Sequence, residues 1–189
     1  MTATIDRLTF SERVTSPLAR LSLTPAGSAP GLLDGAWWPR SRDLSRELPA
    51  LVDVLDACWG RITRVTVNPT HWSVIPRKVA VAGRKVHVGW FADGQDPHKL
   101  ILLSYTAGRW DLLVIPPETD AAAAARLMAA AATPGGLATA SALMAREDTS
   151  REVQESLDRE EEWETEGGHA SAAAENPDPP GPVSSARGM

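Results

Sequence analysis

The stretch Leu100-Ile101-Leu102-Leu103-Ser104-Tyr105-Thr106-Ala107-Gly108-Arg109-Trp110-Asp111-Leu112-Leu113-Val114-Ile115 decides the fold. Two strand-forming runs flank a glycine-containing turn, the pattern of a β-hairpin. With Ala107-Gly108 as the turn, Tyr105 faces Trp110, Leu103 faces Leu112 and Ile101 faces Val114, while Leu100 and Leu102 meet Leu113 and Ile115 on the other side. Away from the turn both sides are apolar. A strand pair covered on both faces belongs at the centre of a sheet, between helices and a second layer, or in the wall of a filled half-barrel. Burying one such side chain contributes about 1.5 to 3 kcal/mol, so most of the stabilisation is expected here.

Upstream, Lys78 to Val88 forms a second hairpin of different character. A turn at Gly83-Arg84 sets Val81 opposite Val86 and Val79 opposite Val88, with Lys78, Ala80, Lys85 and His87 on the other face. Valine lies inside and the basic face is solvated. Arg61 to Asn68 is rich in β-branched residues, and Asn68-Pro69-Thr70 reads as a turn into a strand from Trp72 to Ile75. Between Asp43 and Trp59, Leu44, Leu48, Leu51, Val52, Leu55 and Trp59 recur at spacings of three and four, which predicts an amphipathic helix. Ser41 or Asp43 caps its start, Gly60 ends it, and Pro49 implies a late start or a kink. Leu21 and Leu23 lie on one side of a short strand, followed by the breaker-rich run Thr24 to Gly31.

After Pro116-Pro117, Thr119 or Asp120 caps an alanine-rich helix from about Ala121 to Ala132. Thr133 and Pro134 start a second helix running to Arg146, weakened by Gly135 and Gly136. Ser150 to Glu166 has helical charge spacing, with Arg151, Glu155 and Arg159 four apart. Its apolar residues Val153, Leu157 and Trp163 offer about 6 kcal/mol if all are buried. Ordering the segment costs about 1 kcal/mol per residue, so the acidic tail is expected to be largely disordered.

The 189 residues allow one globular domain and a modest appendage. The net charge of −5 conceals a division: residues 147–189 hold 12 acids against three Arg, or −9, which leaves +4 on residues 1–146. Cys58 is the only cysteine, so no internal disulfide forms and a reducing compartment is expected. Met1 to Thr15 has no apolar run of signal-peptide or membrane-span length, which makes a cytoplasmic protein without membrane association the expectation.

The run Leu32-Leu33-Asp34-Gly35-Ala36-Trp37-Trp38-Pro39-Arg40-Ser41, then Arg64-Val65, Asn68, Trp72, Pro76-Arg77, Gly89-Trp90-Phe91 and Asp96-Pro97-His98, resembles an actinobacterial family of domains of unknown function. The resemblance covers about residues 18–130 and excludes the acidic tail. It implies no reaction, ligand or catalytic residue.

Six of the seven tryptophans fall between Trp37 and Trp110, with Arg40, Arg42, Arg61, Arg64, Arg77 and Arg84 among them. Arg grips anions and Trp stacks on flat groups, so such a set can form a ligand surface. The structural alternative makes Trp59, Trp90 and Trp110 core and pairs the arginines with the domain's own carboxylates. Adjacent residues of an extended chain face opposite sides, so Trp37 and Trp38 cannot share one core.

His71, His87 and His98 lie on separate segments without metal-ligand spacing, so neither a metal nor a cofactor is expected. Asp93-Gly94-Gln95-Asp96-Pro97-His98 lacks the later ligands of a calcium loop and fits an Asp-capped turn. Ser73, Ser104 and Cys58 sit in no nucleophile motif, and Cys58, at a helix C-terminus, reads as inert core.

These readings converge on an α+β fold: a twisted antiparallel sheet or half-barrel of six or seven strands, with an inserted helix, C-terminal Ala-rich helices and a disordered acidic tail. The domains expected are a flexible N-terminus at 1–17, a single domain at 18–146 and the tail at 147–189. The function expected is a non-enzymatic binding or regulatory module for a protein or small anionic ligand. Its candidate residues are Asp34, Trp37, Trp38, Arg40, Arg42, His71, Trp72, Arg77 and His98. One alternative is a small enzyme in which Asp34, His71, Asp96 and His98 converge in a pocket. A weaker one is nucleic-acid binding with the acidic tail as an autoinhibitor.

Overall fold

A computed structural model describes residues 18–91, 94–105 and 108–167. Residues 1–17, 92–93, 106–107 and 168–189, and with them the expectations for Asp93 and Ala107, lie outside the described residues. The chain divides into two units, Met1–Asp148 and Thr149–Met189. In chain order the elements are β1 (Leu21–Leu23), β2 (Gly35–Trp37), α1 (Leu44–Trp59), β3 (Ile62–Val67), β4 (Lys78–Val81), β5 (Arg84–Trp90), β6 (Lys99–Ser104), β7 (Gly108–Val114), α2 (Ala121–Ala131) and α3 (Ala140–Gly167).

The α+β class and the seven strands match the sequence. The strands form one open sheet in the order β1-β2-β7-β6-β3-β5-β4. Its pairing is mixed: β2 with β7 and β3 with β5 are parallel, and the other neighbours are antiparallel. Hairpin chemistry reveals only strands adjacent in sequence, whereas parallel neighbours are joined by long connections that leave no turn signature. The strand expected at Trp72 to Ile75 is absent from the sheet. Pro69–His71 forms a 3-10 turn, capped by the Asn68 side chain at Thr70 N (3.0 Å), and Val74 makes a single bridge to Asp43.

Both hairpin registers differ from expectation, with unequal consequences. In β4–β5 the turn is Ala82-Gly83, so Val79 faces Val86 and Lys78 faces His87. This shift by two residues preserves the faces, and Val79, Val81, Val86 and Val88 are all buried. In β6–β7, Ser104 pairs with Gly108, Leu102 with Trp110 and Leu100 with Leu112. The loop therefore spans three residues rather than two, and the odd offset changes which side chains share a face. Leu100, Leu102, Leu112 and Val114 enter one core, while Leu113 enters another.

The first core lies between the sheet and α1, whose stripe Leu44, Leu48, Leu51, Val52 and Leu55 is buried. Asp43 caps α1 by accepting from Ser45 N at 2.9 Å, and Pro49 sits inside the helix. The second core joins Leu33, Ala36, Leu113 and Ile115 to Ala124, Leu127 and Ala131 of α2 and to Ala140 and Leu143 of α3. Asp120 caps α2 at Ala123 N (2.8 Å).

The second C-terminal helix begins at Ala140 rather than near Pro134. Gly135 takes a left-handed φ of 67° and donates to Ala29 O at 2.9 Å, which stops a helix there. Thr139 instead accepts from Ala142 N at 3.2 Å. In the second unit α3 continues to Gly167 with every residue from Thr149 to Trp163 exposed.

Two backbone positions give stability tests. Gly35 has φ +146°, and a Cβ there would run into the Ser22 carbonyl oxygen of the paired strand. Gly35→Ala is expected to cost about 3 kcal/mol, read as a lowered urea midpoint with an unchanged slope. Ala82 has φ 44°, a conformation that favours Asn or Gly. Ala82→Asn should raise stability by about 0.5 to 1 kcal/mol in the same measurement.

Candidate functional site

The extended backbone at the end of β2 sends Trp37 and the following Trp38 to opposite sides. Trp37 is 1% exposed and stacks on Trp72, itself 6% exposed, with ring centroids 5.3 Å apart. Both rings are core, so neither reaches a ligand surface. Trp38 packs against the second core, and the Arg20 guanidinium lies 3.4 Å from its ring centroid. Arg20 Nε also donates to Trp38 O at 3.0 Å. Arg40 is exposed and donates to Leu18 O at 2.8 Å; Arg77 is exposed. Two expected core residues lie outside it: Trp90, at the end of β5, is 51% exposed, and Cys58 is exposed because the buried stripe of α1 runs through Leu51, Val52 and Leu55 on another side of the helix.

Three candidates meet at one place. Arg42, before α1, donates to His71 O at 3.4 Å and pairs with Glu118. The rings of His71 and His98 are 4.6 Å apart at 45°. His71 Nε2 and His98 Nδ1 are buried without a hydrogen-bond partner. Burial, then His98 and Arg42, hold His71 below the ordinary imidazole range, against a hydrogen bond to the Pro97 carbonyl and the pull of Glu118. Burial lowers His98 too, opposed by the carboxylates of Asp96 and Asp148. Asp96 is already engaged: Ser141 N at 2.8 Å, Ser141 Oγ at 2.7 Å and His98 N at 3.0 Å all donate to it. Burial raises its carboxyl, and these hydrogen bonds outweigh that, so it titrates below the ordinary range.

Asp34 stands elsewhere. Its Oδ2 accepts from Asp111 N at 2.8 Å, and Asp34 N donates to Asp111 O at 2.7 Å. Asp111 in turn receives Lys99 Nζ at 3.1 Å and Arg109 Nε at 2.8 Å. Burial first, and the neighbouring Asp111 carboxylate as well, raise the Asp34 carboxyl despite the backbone hydrogen bond. The four acid–base candidates therefore split, with His71, His98 and Asp96 in one neighbourhood and Asp34 in another.

Residues outside the nine nominated ones, with Arg61, Arg64 and Arg84 of the Trp–Arg set among them, form a basic surface. The helices α2 and α3 cover the second face of the sheet at β2 and β7. Arg64, Lys78, Ala80, Lys85 and His87, on β3 to β5, are exposed. Pairing aligns Arg64, His87 and Lys78 in a row across three strands. Beside it lies a cleft of about 400 Å³ lined by Arg61, Thr63, Arg84, Lys85, His87 and Tyr105. Arg84 is held there by Asp56 and by the Ile62 carbonyl. The alternation in the 78–88 hairpin indicated part of this surface; Arg61 and Tyr105 join it only through β-sheet pairing.

These features define an α+β domain with a mixed sheet, one face of which is covered over only part of its width. A family model described as a family of unknown function, DUF5994, matches residues 20–131, and the chain belongs to that family. Nothing among the curated proteins or the solved structures matches the chain. Among the described residues, no helix is long and apolar enough to cross a membrane.

The histidine pair gives a pH prediction with a definite sign. Folding lowers both imidazole pKa values from 6.5, so the unfolded chain binds these protons at higher pH than the folded one. The rings' contribution is complete above about pH 6.5 and declines as pH falls through the window below it. The urea midpoint should drop between about pH 7 and about pH 5. The double variant His71→Gln/His98→Gln should flatten that slope.

Proposed function

We propose that the domain is a non-enzymatic binding module that takes a small anionic ligand into the cleft between Arg61, Lys85 and Tyr105. The observation that carries this reading is the lining: four of its six side chains are basic and none is acidic. Among the described residues no carboxylate pairs with Arg61, Lys85 or His87. Tyr105 adds a hydroxyl donor, and Arg84, braced by Asp56, supplies a guanidinium near its bound position. Of the residues nominated from sequence, the exposed Arg40, Arg42 and Arg77 remain secondary anion contacts in this proposal, with His71 and His98 beside Arg42. A reaction that needs Asp34, His71, Asp96 and His98 in one pocket is disfavoured, because Asp34 bonds to Asp111 and Asp96 is occupied by Ser141.

The row Arg64, His87 and Lys78 extends the basic surface beyond the cleft and favours, as a second reading, a single-stranded nucleic acid lying along it. In that reading the −9 segment from Glu147 competes for the surface as an autoinhibitor. The proposal also places the protein in an actinobacterial cytoplasm, on its lone cysteine and the family resemblance.

Calorimetric titration of the full chain with pyrophosphate tests the first reading. Arg61→Ala/Lys85→Ala is expected to weaken binding about tenfold or more, since each charge-assisted hydrogen bond contributes about 1.5 to 3 kcal/mol, while Arg126→Ala, on α2 where it pairs with Glu147, leaves it unchanged. No pyrophosphate binding, or equal binding by the double variant, would overturn it. An oligonucleotide whose affinity falls steeply with salt, and rises when residues after Arg146 are removed, would favour the second reading.

A further inference from the structure

The basic cleft of about 400 Å³ lies within the size range of small-molecule sites, and a phosphate group alone fills only part of it. The balance of its charges says how much anion it can take. Asp56, near the end of α1, accepts from Ile62 N at 2.8 Å and from Arg84, whose guanidinium also donates to the Ile62 carbonyl. One carboxylate thus ties the end of α1 to β3 and β5, and it offsets the Arg84 charge. Arg61 and Lys85 keep two full charges, with no carboxylate paired to either among the described residues. Two uncompensated cations match a phosphomonoester, which carries about −1.5 to −2 charges at pH 7.

The rest of the lining is aromatic or already committed. Thr63 Oγ1 donates to Leu103 O at 3.2 Å, so its proton is not free for a ligand. Tyr105 follows β6, and its N–H donates to Arg61 O at 2.9 Å. The phenol ring and the Arg61 guanidinium therefore spring from backbone positions that are bonded to each other. That ring is 82% exposed, although tyrosine ordinarily covers at least part of its apolar body. A bare flat face stands beside two unpaired cations in one cleft, and a ligand that satisfies both carries a ring as well as a phosphate.

We infer that the cleft takes a nucleoside monophosphate, its phosphate between Arg61 and Lys85 and its base flat against the Tyr105 ring. The inference rests on the reading of this cleft as an anion site and adds the base to it. The phosphate supplies charge, and the ring supplies contact that inorganic phosphates lack. Every base has a π-face, so stacking on Tyr105 favours nucleotides as a class without choosing among them.

The test is calorimetric titration of the full chain with AMP, ribose 5-phosphate and adenosine, beside pyrophosphate as the measure of the anion reading. AMP is expected to bind about fivefold or more tighter than ribose 5-phosphate, which lacks the base. Adenosine, which lacks the phosphate, should bind about tenfold or more weaker than AMP. Tyr105→Ala should abolish the advantage of AMP over ribose 5-phosphate and leave ribose 5-phosphate and pyrophosphate unchanged, whereas Tyr105→Phe should keep that advantage. The side chain is largely exposed and its bond to Arg61 is made by the backbone, so both variants should share the parent's urea midpoint. Binding of pyrophosphate and ribose 5-phosphate with no gain for AMP, or a gain that survives Tyr105→Ala, would overturn the inference and leave the anion site standing. No binding of any of the three phosphates would overturn both.

Discussion

A strand buried on both faces constrains everything else in the domain. In β7, Leu112 and Val114 enter the core beneath α1, and the residue between them, Leu113, enters the core beneath α2 and α3. Such a strand needs neighbours on both edges and layers on both faces. It obtains β2 on one side and β6 on the other, and each layer is supplied from a different part of the chain. β2 runs parallel to β7 and antiparallel to β1. Gly35 enables the second pairing by letting β1 approach without a side chain in between.

The same economy explains where the basic surface and the aromatic cleft lie. Alanine-rich α2 is small enough to seat closely on β1 and β2, and it leaves the strands at the far edge uncovered on that face. Apolar side chains there would remain in water. The sequence places Lys, Arg and His at those positions, and their charges accumulate because few carboxylates share the face. At the other end of the sheet, the loop entering β2 arches over Trp59 and Trp110 and encloses space rather than filling it. One cleft is lined by cationic side chains; the other is lined by aromatic and apolar ones and carries a carboxylate.

Much of the fold was legible in the sequence, and the failures have definite causes. The stripe from Leu44 to Leu55 specified α1 because helical periodicity is local. Alternation in the 78–88 hairpin specified its faces even though its turn was placed one residue late. The 100–115 hairpin offered no such correction: with apolar residues on both faces, alternation cannot choose between registers, and a three-residue loop was mistaken for two. Among site residues, adjacency showed that Trp37 and Trp38 must part, but not which ring the core would take. The His71–His98 contact joins a 3-10 turn to a loop 27 positions later, and no local pattern encodes it. Cys58 read as core by residue type and is exposed by its angle on the helix.

The strands at the two ends of the sheet carry a consequence of their own. β1 has three residues and β4 has four, and β4 follows Pro76 and begins with Lys78. Short edges marked by proline and lysine are poor templates for a strand from another copy. A domain that leaves part of a β-sheet face bare is ordinarily at risk of growing by edge addition into a fibre. Here the face can stay bare because the borders of the sheet are poor sites for polymerisation.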